Sequence, residues 1–474
     1  MNWEQLLSTK RSRDAYTKSS RSGDLRSEFE KDYHRIIGSA SFRRLQDKTQ
    51  VFPLDKSDFI RTRLTHSLEV SSFANSLGQN IAENILTYHR DPGFLPHMKE
   101  DICNILQCAG LIHDIGNPPF GHYGEELIRE WFEKHLDAYR FHGVPIPEVL
   151  EPQMLGDLYH FEGNAQALRL VTKLHYLVDS YGMNLTYALL GTIIKYPVTS
   201  VEMNPKSGNI KDKKMGYYLA DAEIFADIQR ETGTNGARHP LTFVLEAADD
   251  IAYTTADIED AFVKGILSYN KLVAELEEIQ MTYGQMANVF APADKLKELY
   301  MRGKEKHVSD PEAYAVKNWI IRVQGFVLNC ATYGFTTNYD AIMAGEYRFD
   351  LFHRTYAEPL MRALSELAYR EVFTTNEIYR MEIAEATVID FLMEKFVTAA
   401  IKYDDPKERL DSIDLRMMSF ISDNYKRNYH EQSRGKSDVE KLYLRLLLVT
   451  DELCGMTDSY AKNFYQELNG IEWV

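Results

Sequence analysis

Residues Leu111–Glu126 read LIHDIGNPPFGHYGEE and pack two histidines, three acids, three glycines and a Pro-Pro pair into one short stretch. The apolar lead-in Ile105, Leu106, Ala109, Leu111 and Ile112 has helical spacing, which sets His113 and Asp114 at the end of a buried helix. Polar groups there are costly unless partnered. A histidine followed by an acid arises by chance about twice in a chain of this composition, and it occurs twice, at His113-Asp114 and His430-Glu431. The dipeptide alone carries little weight; its setting carries more.

Two further stretches share that setting. His66 follows RTRLT at the head of a long helical pattern, RLTHSLEVSSFANSLGQNIAENIL, with Leu64, Leu68, Phe73, Leu77, Ile81 and Ile85 as its expected apolar stripe. Asp249 and Asp250 lie inside the apolar run LTFVLEAADDIAY. Two neutral imidazoles and two carboxylates balance a divalent ion and, in octahedral geometry, leave two positions open. Any one of these residues taken singly reads equally well as a hydrogen-bonded core residue.

The rest of the chain is patterned for helices. CNILQCAGLIHDI, EGNAQALRLVTKLHYLV, LTFVLEAADDIAYTTADIEDAFVKGIL, EIYRMEIAEATVIDFLMEKFV and DVEKLYLRLLLVTDEL all carry helical apolar spacing. Strand-like alternation is scarce, its best candidate being MGYYLA near Met215, and glycine and proline gather in connectors such as FHGVPIPEVLEP. An all-α protein is expected, with few or no strands. A helical core over residues 1–270 and a C-terminal helical region over 271–474 are expected, with a soft boundary.

With 474 residues, 44% hydrophobic and 26% charged, the composition is that of a globular protein. No apolar run approaches the roughly 18 residues of a membrane span, and MNWEQLLSTKRSR has no apolar signal core, so a cytoplasmic protein without membrane contact is expected. Four scattered cysteines suggest packing rather than disulfides or zinc. A net charge of −16 opposes broad binding to nucleic acid, yet residues 1–63 hold 14 Lys and Arg against nine acids. In FRRLQDKTQVF the cations Arg43, Arg44 and Lys48 alternate with apolar anchors, so an anion is expected to meet this segment.

His66, His113-Asp114 and Asp249 match the H…HD…D signature of HD-domain metal phosphohydrolases. Six longer strings in order, SFRRLQDKTQVFP, RTRLTHSLEV, HDIGNPPFGHYGE, HFEGNAQALR, EAADDIAY and GMTDSYA, resemble the motifs of the bacterial dGTPase-like deoxynucleoside triphosphate triphosphohydrolases from residue 41 to 461. The resemblance implies metal-dependent hydrolysis in which water attacks the α-phosphorus of a deoxynucleoside triphosphate, most plausibly dGTP, and releases deoxynucleoside and intact triphosphate. Two other readings stay open: an HD phosphohydrolase for another nucleotide, and a catalytically silent nucleotide-sensing or DNA-binding scaffold.

The resemblance also implies roles. His66, His113, Asp114 and Asp249 would ligate one divalent metal, for which Mn, Mg, Fe, Co and Ni all suit the donor set. Asp249 is preferred to Asp250 because it stands four residues before Tyr253. His122 and Glu125, three residues apart on one face if a helix begins there, would form the acid/base couple; proton delivery to the 5′ oxygen and assistance to water both remain open for His122. Arg63, Lys195, Tyr196 and Lys214 would contact phosphates, with Lys213 as a substitute for Lys214. Gln50, Val51, Tyr253 and Asp257 would recognise the sugar. The base pocket is expected from about residues 330–400. Homo-oligomers, commonly hexamers, and a nucleotide or single-stranded DNA effector are further implications.

Overall fold

Helices that approach closely need small residues at their contact. In the computed structural model, which describes residues 1–13, 23–52, 60–175, 179–284 and 289–471, the helix Arg63–Asn84 buries Ser67, Ser71, Ala74 and Gly78 beside Val70, Leu77 and Ile81. Its neighbour is Met98–Ile112; a Cβ on Gly110 of that helix would lie 2.5 Å from the Ser71 Cα, so only glycine permits the approach. Leu77, Ile81 and Ile85 of the expected stripe are buried, and Leu68 departs from it. Leu68 is 50% exposed, and the face that packs is the small-residue face carrying His66.

Two helices of this core start where the sequence supplies a cap. The Thr62 hydroxyl accepts from the Thr65 amide while the Thr65 hydroxyl accepts from the Thr62 amide. Pro240 occupies the first turn of Pro240–Val263, where its missing N–H costs nothing. This 24-residue helix crosses Arg63–Asn84 and carries Asp249, Tyr253 and Asp257 to the same side as His66.

The second half of the chain packs onto the first. Pro311–Thr337 lies against both Pro240–Val263 and Arg63–Asn84, while Asn376–Lys402 packs against Gly121–His135 and Asp438–Gly455. The fold is all-α, as expected, and the helical patterns all fall on helices, though His175 ends the LVTKLH pattern and Tyr176–Val178 lie outside the described residues, as does Pro53. No described helix is long and apolar enough to cross a membrane.

The expected strand MGYYLA is not one. Gly216 there donates to the Val198 carbonyl, and the stretch runs as irregular chain into a short turn. Among the described residues the single two-stranded sheet, Arg140–Phe141 with Val144–Pro145, instead falls in the FHGVP connector. His142 and Gly143 have φ values of 50° and 91°, the two left-handed residues that a tight hairpin turn requires.

Candidate metal centre and its cleft

The His113 Nδ1–H donates to the Gly110 carbonyl at 2.8 Å, one turn back on its own helix. A carbonyl only accepts, so in the neutral ring the Nε2 lone pair is bare. That atom is buried, has no hydrogen-bond partner, and faces Asp249 Oδ1 at 3.4 Å and Asp114 Oδ2 at 3.5 Å. His66 Nε2 approaches the same Asp249 oxygen at 3.2 Å. Lone pairs and carboxylates pointed at one another repel unless a positive charge lies between them. Burial alone would lower the His113 pKa, and the two carboxylates outweigh it and raise the value. His66, His113 and Asp249 offer ligand atoms within 4.8 Å of one another, and nitrogen and oxygen donors in this arrangement suit a divalent cation.

Asp114 stands at the edge of that trio and forms a short ion pair with Arg63 Nη1. Arg63 is 2% exposed, which makes it a buried cation one turn before His66. Lys195 Nζ reaches the other oxygen of Asp249 at 3.0 Å. Burial opposes the Lys195 charge, but Asp249 more than compensates, and Lys195 is held fully protonated. Asp250 points away from the trio: burial, Glu246 and Asp249 raise its pKa well above the carboxylate range.

The segment Asn117–Phe120 leads from this centre to a second group. Phe120 takes a left-handed φ of 64° and opens the helix Gly121–His135. On its first turn His122 Nδ1 meets Glu125 Oε2 at 3.3 Å. The imidazole is 72% exposed and the carboxylate 2%, so a rooted anion presents a mobile ring to the cleft. The other Glu125 oxygen accepts from the Gly163 amide at 3.0 Å. A Cβ on Gly163 would lie 2.3 Å from Glu125 Oε1 and 2.2 Å from Asn117 Oδ1, so a side chain there would push both tips from their places. Burial raises the Glu125 pKa, but the His122 hydrogen bond and charge bring it down to about 2. In return Glu125 raises the His122 pKa.

A cleft of about 480 Å³ opens beside His122. Gln50, Val51, Glu125, Lys214 and Tyr253 line it together with His122, so the structure brings six of the residues singled out in sequence onto one surface. Lys214 also pairs with Glu162 at 2.7 Å, whereas Lys213 is exposed. Tyr196 is buried behind the wall, its hydroxyl pushed up to about 12 by burial. Asp257 is 1% exposed and neither carboxylate oxygen has a hydrogen-bond partner; burial raises its pKa well above the usual range.

The opposite wall comes from the expected 330–400 region, through residues the sequence did not single out. Tyr369, Phe373, Ile378, Glu382 and Glu385 line the cleft, and the Phe373 ring lies parallel to Tyr253 with centroids 6.4 Å apart. Glu385 is 4% exposed with Oε1 unpartnered. Burial, with Asp458 and Glu382 adding to it, pushes its carboxyl up to about 8. An acid at a buried helix position in EIAEATVIDF is the signal that marks it.

Part of the basic N-terminal segment is committed to internal partners, whereas Arg43 and Arg44 are exposed. Arg11 is buried against Asp32 and Glu28, Arg61 is surrounded by Glu69, Glu259 and Asp260, and Lys48 is buried between carbonyls. Of the cations in that segment, Arg63 stands at the candidate centre.

The HD-domain family model matches residues 63–151, the span from Arg63 through the His122 helix. The chain is 47% identical over 473 residues to the "Deoxyguanosinetriphosphate triphosphohydrolase-like protein" of Listeria monocytogenes, covering 99% of this chain and all of that one. It is 33% identical to the protein of the same description in Synechocystis, over 99% of this chain and all of the relative. Against the "Deoxyguanosinetriphosphate triphosphohydrolase" of Serratia proteamaculans it is also 33% identical, with 95% of each chain covered. With these relatives matched almost end to end and the HD-domain model on residues 63–151, the chain belongs to the deoxyguanosinetriphosphate triphosphohydrolase family of HD-domain hydrolases.

Proposed function

We propose that this chain hydrolyses a deoxynucleoside triphosphate, dGTP foremost, to deoxynucleoside and intact triphosphate. The observation that carries the reading is a His66, His113 and Asp249 trio, with His113 Nε2 buried and unpartnered, beside a separate His122 and Glu125 couple on one helical turn. A divalent ion in the trio, with Asp114 completing its carboxylates, would supply polarisation and charge neutralisation at the α-phosphoryl group. Mn, Mg, Fe, Co and Ni all remain compatible with that donor set.

The chain's own residues do the rest. Arg63 and Lys195, both buried and charged, flank the trio and neutralise phosphate oxygens, while Lys214 and Tyr196 extend that contact along the triphosphate. Water attacks the α-phosphorus, the bond from phosphorus to the 5′ oxygen breaks, and that oxygen leaves with a proton. The Glu125 carboxylate favours the protonated form of His122, so His122 is the donor of that proton.

Gln50, Val51, Tyr253 and Asp257 hold the deoxyribose. Asp257, kept neutral by burial, has both a proton to donate and an oxygen to accept for a sugar hydroxyl. Glu382 and Glu385 place carboxyl groups at the far wall, and the raised pKa of Glu385 lets it both donate to O6 and accept from the N1–H of guanine. Residues 1–270 form the catalytic core in this reading, and 271–474 supply the base wall and the contacts of a homo-oligomer, a hexamer by family resemblance. The enzyme acts in the cytoplasm, and a nucleotide or single-stranded DNA effector is compatible with it. Incubation with each dNTP and rNTP in the presence of Mn or Mg tests the proposal: dGTP should be consumed fastest and every ribonucleotide poorly, and equal consumption of GTP would contradict it.

A further inference from the structure

GMTDSYA is the family motif that the site so far leaves unused. Its aspartate, Asp458, is the first residue of the helix Asp458–Leu468, where an acid normally faces the helix's own free amides. Here Thr457 provides the cap by accepting from the Tyr460 amide, and Asp458 turns inward, 1% exposed. One carboxylate oxygen accepts from the Thr49 amide at 2.7 Å and, through a short bond, from the Thr49 hydroxyl. The other accepts from the Phe120 amide at 2.9 Å. Thr49 immediately precedes the sugar-side residues Gln50 and Val51; Phe120 is the left-handed residue that launches the His122 helix.

A second group ties the same three segments. The Lys48 ammonium, 3% exposed, donates to the Asn117 carbonyl at 2.6 Å and the Cys454 carbonyl at 2.7 Å. The Lys48 carbonyl in turn accepts from the Arg63 amide at 3.0 Å, and Thr49 bridges to Thr62 at the head of the His66 helix. A buried cation and a buried carboxylate thus both tie the 48–49 segment to the 117–120 turn.

The geometry points to Asp458 as a positioning residue that makes the sugar-side segment and the His122 turn move as one body, so that seating of the sugar sets the aim of the proton donor. This rests on the triphosphohydrolase reading for its kinetic consequence, but its structural core does not. Asp458→Asn keeps the shape, yet its amide nitrogen must face either the Thr49 or the Phe120 N–H, which breaks one arm.

Amide hydrogen exchange followed by mass spectrometry on the full chain tests the coupling without any substrate. Asp458→Asn should accelerate exchange at least tenfold in both 48–52 and 117–124. Thr49→Val, which removes only the hydroxyl arm and suits the case where Asp458→Asn does not fold, should also accelerate exchange in 117–124. Acceleration confined to the mutated segment, or in neither, overturns the proposal. In kinetics, Asp458→Asn should lower kcat for dGTP at least tenfold, raise KM and narrow the preference for dGTP over GTP, with bound metal unchanged. Wild-type kcat and preference per metal-loaded molecule would leave Asp458 a mere structural residue and overturn it. A wild-type protein that hydrolyses no dNTP would sink the functional reading alone, since the exchange result stands separately.

Discussion

His113 donates from Nδ1 to the carbonyl of Gly110 at 2.8 Å, and that bond decides which face of the ring meets Asp249. The same glycine lets the His66 helix approach. One residue therefore sets both the spacing of the helices that carry His66 and His113 and the tautomer of the His113 ring.

Removal of His113 or Asp249 should strip the metal. His113→Ala and Asp249→Asn are expected to lower divalent metal retained after dialysis by about 10- to 100-fold, with turnover falling to background. Metal analysis of the purified variants checks this; undiminished metal would show that the trio is not its site.

His122→Ala should separate proton chemistry from metal binding. His122 lies outside the trio and is 72% exposed, so metal content and melting temperature should stay near wild type while kcat falls by about 10²- to 10⁴-fold. Loss of metal in this variant would place His122 among the ligands instead.

The pH dependence follows from Glu125. Its charge raises the His122 pKa above the ordinary 6.5, so protonated His122 persists to higher pH and the rate falls only as pH climbs through that raised value. Glu125→Gln removes the anion, and the alkaline limb of the kcat profile should move to lower pH. A limb that does not move would mean another group titrates there.

Gly163→Ala tests the support of Glu125. The added methyl would sit 2.3 Å from Glu125 Oε1 and 2.2 Å from Asn117 Oδ1, which should cost about 1–3 kcal/mol of stability and reduce kcat with it. Thermal unfolding and turnover measured on one preparation check both effects.

Glu385→Ala addresses the base. The carboxyl is buried in the cleft wall with Oε1 unpartnered, and its loss should reduce kcat/KM for dGTP relative to dTTP by about tenfold. An unchanged ratio would remove Glu385 from base reading.

Much of this was legible in the residues, and the exceptions have physical causes. Helices over LTFVLEAADDIAY and DVEKLYLRLLLVTDEL follow from apolar period alone. Leu68 misled because close helix contact selects Ser71 and Gly78 over leucine, the reverse of an apolar stripe. MGYYLA alternates like a strand, but its bond from Gly216 to the Val198 carbonyl is not continued into a ladder, whereas RFHGVP forms a hairpin because His142 and Gly143 both accept left-handed φ. Gln50, His122 and Tyr253 could be placed from motifs. Glu385 is marked only by being an acid at a buried helix position, and the bridging of Asp458 could not be placed, since it depends on contacts across hundreds of residues of chain.

Cleavage between the α-phosphorus and the 5′ oxygen by water is tested by turning over dGTP with metal-loaded protein in ¹⁸O-water and resolving the products by ion exchange and mass spectrometry. Deoxyguanosine without label and one equivalent of triphosphate carrying a single ¹⁸O are expected. Deoxyguanosine monophosphate with pyrophosphate, or label in the deoxyguanosine hydroxyl, would contradict that cleavage.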